Sequence, residues 1–315
     1  VRWLCLVVAL AACQSKPAPS AGSADPWSGA GAAAAPDDPD APPSFAELHK
    51  RADELCPRVT APYFYRVAKA GATSYLLGTR HVSVSLAKFP PAVHDRIADA
   101  KIVVFEIPPG DRPKTKHERL HLHAVLGDKL WTRYGELVGH RNAESVEHSR
   151  PAMAILRAAM LYEDIGATLE HDVQAVAESS QIPMRGLESA EFQDGLIERL
   201  LDVRMLSAAI EYTKDRQEMA DESAKSVRDY CAGIDKEVGM SAKDRAHMHD
   251  AGYTDAELDA IDNEMVYARN AKWIPDLEQL FDTGGAFVAV GAAHLRGPRG
   301  VVELLRAKGY TITRE

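Results

Sequence analysis

Two Gly-x-x-His signatures, Gly78-Thr79-Arg80-His81 and Gly291-Ala292-Ala293-His294, lie 213 residues apart, and each directly follows an apolar run of strand length. The runs are Tyr75-Leu76-Leu77 and Ala286-Phe287-Val288-Ala289-Val290, bounded by glycine and too short for an ordinary helix. Glycine lets a chain end a strand abruptly and turn. Both patterns therefore predict a histidine presented at the C-terminal edge of a strand, where ligands and chemistry collect in sheets with helical crossovers. Such a pair constrains the fold strongly: only a sheet that unites the two ends of the chain brings His81 and His294 together. United, they form half of a metal site.

The remaining pattern is compatible with that sheet. Residues 45–56 read as a short amphipathic helix ended by Pro57, and residues 63–67 and 73–77, joined by a turn at Gly71, read as a β-hairpin carrying the first histidine. Pro90 and Pro91 start a helix running to about residue 100, and residues 101–107 follow as a strand in which Val103-Val104-Phe105 leads to Glu106. A carboxylate at the end of an apolar strand is costly unless it faces water, a cation or a ligand, which makes Glu106 a candidate site residue. The middle, residues 116–281, is patterned for helices over 153–162, 169–179, 192–230 and 256–281, interrupted by one short strand at 183–187 that ends beside Glu188. Glu188 and Glu191 also suit the first turn of a helix, where the dipole favours acidic groups. A helix over 300–308 and a strand over 310–313 close the chain. The fold class expected is mixed α/β (α+β): a sheet of N- and C-terminal strands with a large helical middle.

A formal net charge of −9 with no basic cluster argues against a nucleic-acid partner. At the N-terminus, Arg2, the apolar residues 3–12 and Leu10-Ala11-Ala12-Cys13 resemble a bacterial lipobox, and the apolar span is too short for a mature transmembrane helix. That resemblance implies a signal peptide over 1–12 and a lipid on Cys13. The Ala/Pro/Ser/Gly/Asp-rich stretch up to residue 43 reads as a tether, leaving residues 44–315 as the folded domain. The expected place is the cell envelope, anchored to the membrane through Cys13 on the periplasmic face, with Gln14 compatible with the outer membrane. Cys56 and Cys231 then remain in an oxidising space. Neither has a basic activating neighbour, which favours a structural disulfide over catalysis, although sequence alone does not show that they meet.

Taken together, Tyr75 to Val82, Val104-Phe105-Glu106, Gly186 to Gln193, Arg269-Asn270, and Phe287 to His294 followed by Gly300-Val301-Val302 and Gly309-Tyr310 resemble the TraB/GumN family, related to the animal Tiki proteases. The resemblance runs from about Tyr63 to the C-terminus. It implies a metal-dependent, peptidase-like hydrolase acting on a peptide or protein, with His81, His294 and Glu106 as ligands of a divalent ion such as manganese, cobalt or zinc. Glu106 and Glu188 are then the catalytic carboxylates, with Arg269 and Asn270 as polar partners. The same resemblance, through haem-binding lipoproteins among broader relatives, leaves open a non-catalytic protein that holds a peptide or a haem-like ligand.

A competing pattern, His117-Glu118-Arg119-Leu120-His121, matches two zinc-binding histidines one helical turn apart. A charged Arg119 inside the motif, a polar approach through Pro113 and Lys114, and no third ligand at a familiar spacing favour an exposed, His-rich helix start instead.

Overall fold

The computed structural model describes residues 42–235 and 238–315. Six strands are present among them: β1 (Phe64–Lys69), β2 (Ala72–Thr79), β3 (Ile102–Phe105), β4 (Met184–Gly186), β5 (Ala286–Gly291) and β6 (Thr311–Arg314). They form one sheet in the order β4-β3-β5-β2-β1-β6. The expected hairpin is present: β1 and β2 are antiparallel around Ala70-Gly71, both with positive φ (49° and 88°), as a tight hairpin turn requires. β6 adds antiparallel to β1, whereas β2, β5, β3 and β4 are mutually parallel. Strand β5, from the C-terminal part of the chain, is inserted between β2 and β3, so the two histidine-bearing segments are joined inside the sheet. Central placement explains its unbroken apolar sequence, since Phe287, Val288 and Val290 have at most 1% of their surface exposed.

The helices are α1 (Phe45–Leu55), α2 (Pro91–Ala98), α3 (Leu122–Val138), α4 (His140–Val146), α5 (Pro151–Ala159), α6 (Leu169–Ser179), α7 (Ala190–Leu200), α8 (Val203–Tyr212), α9 (Arg216–Cys231), α10 (Ala242–Asp250), α11 (Asp255–Asp262), α12 (Ala268–Thr283), α13 (Ala292–Leu295) and α14 (Val301–Ala307). The single helix expected over 192–230 is three. Asp202 and Asp215 cap the second and third, accepting hydrogen bonds from Met205 N and Glu218 N, and such side chains stop one helix and start the next. The helix expected over 256–281 is also divided, by a π-helical turn at Asn263–Tyr267 between α11 and α12. Residues 111–121 are not helical, and α3 begins only at Leu122, bending at Gly127.

One core packs around the sheet, through Leu76, Leu77, Val103, Val104, Phe287 and Val288; a second lies among the helices, through Leu122, Tyr134, Ile155, Leu201, Leu258 and Met265. Cys56 and Cys231 form a disulfide with Cα atoms 5.9 Å apart, tying the end of α1 to the end of α9. Among the described residues no helix is long and apolar enough to cross a membrane. The expected signal peptide, Cys13 and nearly all of the tether lie outside those residues.

Candidate functional site

Each of the four parallel strands ends in a site residue. Thr79 at the end of β2 leads to His81, Phe105 of β3 to Glu106, Gly186 of β4 to Glu188, and Gly291 of β5 to His294 on α13. Because the strands are parallel and adjacent, all four side chains gather at one C-terminal edge, as the two histidine signatures predicted. Arg269 and Asn270 reach the same place from the start of α12, just after the π-helical turn. All six are buried, with at most 9% of any of them exposed.

The glycines serve a different purpose from the sharp turn expected of them. Neither Gly78 nor Gly291 has positive φ. A Cβ on Gly78 would lie 2.8 Å from the Tyr63 Cβ and 3.0 Å from the Ala292 Cα, so its bare backbone admits α13 against β2. A Cβ on Gly291 would lie 3.1 Å from Glu106 Oε1, 3.4 Å from His81 Nε2 and 3.7 Å from His294 Cδ2. The missing side chain at Gly291 is therefore the space on which the candidate ligands converge.

Both imidazoles are held at Nδ1. His81 Nδ1 lies 2.6 Å from Glu170 Oε1, and a carboxylate accepts, so the proton is on Nδ1 and Nε2 faces the site. Asn270 does the same for His294. Its Nδ2 donates to the carbonyls of His294 (3.1 Å) and Arg299 (2.9 Å), which leaves Oδ1 to accept from His294 Nδ1 at 2.7 Å. His294 Nε2 is consequently an acceptor, and Arg269 Nη1 stands 3.0 Å from it. Burial above all, aided by Arg269 and His81 against the pull of Glu106, pushes the His294 pKa down to about 3, so the ring is neutral at physiological pH.

Arg269 joins the carboxylates. Its Nη2 donates to Glu106 Oε2 at 2.6 Å and to Glu188 Oε1, and its Nε donates to Glu188 Oε1 and Oε2, each at 3.1 Å. Glu106 Oε1 accepts from Gly291 N at 2.7 Å and lies 3.7 Å from His294 Nε2. Burial opposes ionisation of Glu106, but His294, Arg269, His81 and the Gly291 amide outweigh it and hold the carboxyl at about 2. With His294 neutral, Arg269, the Gly291 amide and the Gln193 side chain remain as its hydrogen-bond donors at physiological pH. Glu188 moves the other way: burial, reinforced by Glu106, raises its pKa despite Arg269 and the indole N–H of Trp273, which donates to Oε2 at 3.2 Å. Glu188 precedes the N-cap residue Ser189 of α7 and is held by these side chains, whereas Glu191 sits exposed in the first turn of α7, bound to Thr115 and the Lys114 amide.

Three further residues contribute, of which only Gln193 lies in a stretch that carries the family resemblance. Glu170 comes from the first turn of α6. Gln193 of α7 donates from Nε2 to Glu106 Oε2 and Glu188 Oε1, both at 3.3 Å. Trp273 packs its ring 4.5 Å from that of His294, and only its spacing of four residues from Arg269 marks it in the sequence as sharing that helix face. The His117–His121 pattern is elsewhere: His117 Nε2 lies 2.7 Å from Asp194 Oδ2 in the non-helical loop, and His121 is the N-cap residue of α3. Without a helix, the one-turn spacing that a zincin needs is not formed.

No curated protein and no solved structure matches the chain. The family model described as TraB/PrgY/gumN family matches residues 63–314, which include all four strand-end residues together with Arg269 and Asn270, and the chain belongs to that family.

Proposed function

We propose that the chain is a metal-dependent, peptidase-like hydrolase of the cell envelope, with His81, His294 and Glu106 as ligands of a divalent ion. The observation that carries this reading is the convergence of two Nδ1-anchored imidazoles and one ionised carboxylate over the bare Gly291. Two neutral imidazoles and a carboxylate suit zinc or cobalt, and also manganese. Glu170 and Asn270 act as the partners that fix ring orientation and tautomer. Two carboxyl groups face a single guanidinium, leaving a place for positive charge. When bound, such an ion lowers the pKa of its water to about 7 and polarises a carbonyl.

The chain's own groups divide the remaining work. Glu188 is the candidate base, and Arg269 is positioned to stabilise an oxyanion or to hold a substrate carboxylate. Arg269 Nη1 must release His294 Nε2 for that nitrogen to ligate. Burial of the whole cluster also requires the covering segments to open for a peptide or protein substrate. Export and a lipid on Cys13 belong to the same proposal, supported by the lipobox-like sequence and by the Cys56–Cys231 disulfide, which persists in oxidising compartments.

The grip of Arg269 on Glu188 favours a second reading, a non-catalytic envelope protein that retains a peptide or haem-like ligand. Titrating manganese, cobalt and zinc into the purified chain and its His81→Ala and His294→Ala variants separates the outcomes. Loss of the tightest binding event in both variants, with cleavage in a peptide library, is expected; unchanged affinity in both overturns the metal site. Metal retained without cleavage of any peptide supports the second reading.

A further inference from the structure

We infer that His121, Glu147 and His148 form a separate transition-metal site on the surface, where the start of α3 meets the end of α4. Among the described residues this is the trio of potential ligand side chains whose donor atoms all lie within 4.8 Å of one another. Around an ion with bonds of ~2.0–2.2 Å to nitrogen and oxygen, rotation of these side chains closes that span.

The backbone fixes the arrangement. Leu122 N donates to Glu147 O at 2.8 Å and Leu120 N donates to Ser149 O at 3.0 Å, so the segments on either side of His121 and His148 are bonded to each other. The two imidazole rings meet edge-on with centroids 4.4 Å apart, and His121 Nδ1 lies 3.6 Å from Glu147 Oε1. A third imidazole faces the same oxygen, with His123 Nδ1 at 3.9 Å. Its Nε2 is engaged 2.8 Å from Asp128 Oδ1, and its ring stacks on Trp131. A carboxylate flanked by imidazoles selects zinc, nickel or copper(II) over magnesium or calcium, which prefer all-oxygen ligands.

His121 and His148 are exposed and Glu147 is half-buried, so an ion reaches them without any opening of the fold. Leu122, next to His121, is fully buried in the helical core. Metal at this place clamps the start of α3 to the end of α4 over that core and stabilises the helical layer. The inference does not depend on the chemistry of the buried centre.

Zinc titrated calorimetrically into the metal-stripped full chain, alongside the His121→Ala/His148→Ala double variant, counts the ions bound. The double variant is expected to bind one ion fewer per chain, and zinc is expected to raise its melting temperature less than that of the unsubstituted chain. Glu147→Gln is expected to weaken the same event at least about tenfold, because the replacement amide lacks the carboxylate's charge. Equal stoichiometry and equal zinc-induced stabilisation in all three proteins overturn the inference. If the double variant melts lower in EDTA, the same two readouts on Glu147→Gln decide it.

Discussion

His81 owes its orientation to Glu170, a residue 89 positions away with no motif to mark it. The Glu170 carboxylate receives the Nδ1 proton and also the hydroxyl of Thr79, so it fixes both the ring and the strand end that carries it. Such outer partners typically contribute 10- to 100-fold to metal affinity. Glu170→Ala is therefore expected to weaken divalent-ion binding at the buried centre by about that factor in a metal titration. Glu170→Gln, which keeps an acceptor but loses the charge, is expected to recover part of the loss. A purely structural role for Glu170 would move the melting temperature of both variants and leave their affinities alike. At this scale the sequence was informative where a residue ended an apolar strand, because His81, Glu106, Glu188 and His294 all carry that signature. Glu170 was illegible, since its partners arrive from a strand far away in the chain and it has no local periodicity that distinguishes it from an ordinary helix-surface residue; Gln193 lay in the stretch from Gly186 that carries the family resemblance, but nothing local showed that it reaches Glu106 as well as Glu188, five residues before it. Trp273 was half-legible, on the same face as Arg269 but without a visible reason to face a carboxylate.

Between β2 and α13, the backbones approach closely at Gly78. Its missing Cβ leaves room for the Tyr63 side chain and for the Ala292 backbone, two residues before His294. A methyl group at that point overlaps backbone, which has no alternative rotamer, and overpacking of this kind typically costs about 1–3 kcal/mol. Gly78→Ala is expected to lower the thermal midpoint by several degrees and, by displacing α13, to weaken metal binding through His294 as well; calorimetry of the two properties on one preparation tests the coupling. Hydrophobic alternation and glycine boundaries were enough to locate all six strands. Helix boundaries in the middle were less legible, because Asp202 and Asp215 interrupt apolar periodicities that continue on both sides of them. The π-helical turn before Arg269 leaves no trace in composition, since it widens a turn by one residue without needing glycine or proline.

For the whole molecule, the separation of the two histidines predicted that the chain's ends share a sheet, and β5 between β2 and β3 meets that expectation. Strand order and the parallel direction of β5 were not written in any local pattern; they follow from the helical connections that return the chain to the same edge. The cysteine pair was likewise readable as two surviving residues but not as a contact, because Cys56 and Cys231 are 175 residues apart. That separation sets the size of their effect. Closing so long a loop in the unfolded chain removes conformational entropy corresponding to about 5 kcal/mol at 25 °C in the chain-entropy account. The bond joins α1 to α9, and Thr60 N, in the segment that leads into β1, donates to the Cys231 carbonyl and holds the crossing independently. A Cys56→Ala/Cys231→Ala variant is therefore expected to keep the same fold but to melt roughly 10 °C or more below the oxidised protein, given about 2–4 °C per kcal/mol for domains of comparable size. Reductant should lower the melting temperature of the unsubstituted chain and leave that of the double variant unchanged. Equal melting with and without reductant, once free-thiol titration has confirmed cleavage of the bond, would show that the sheet and helices alone hold the two ends together.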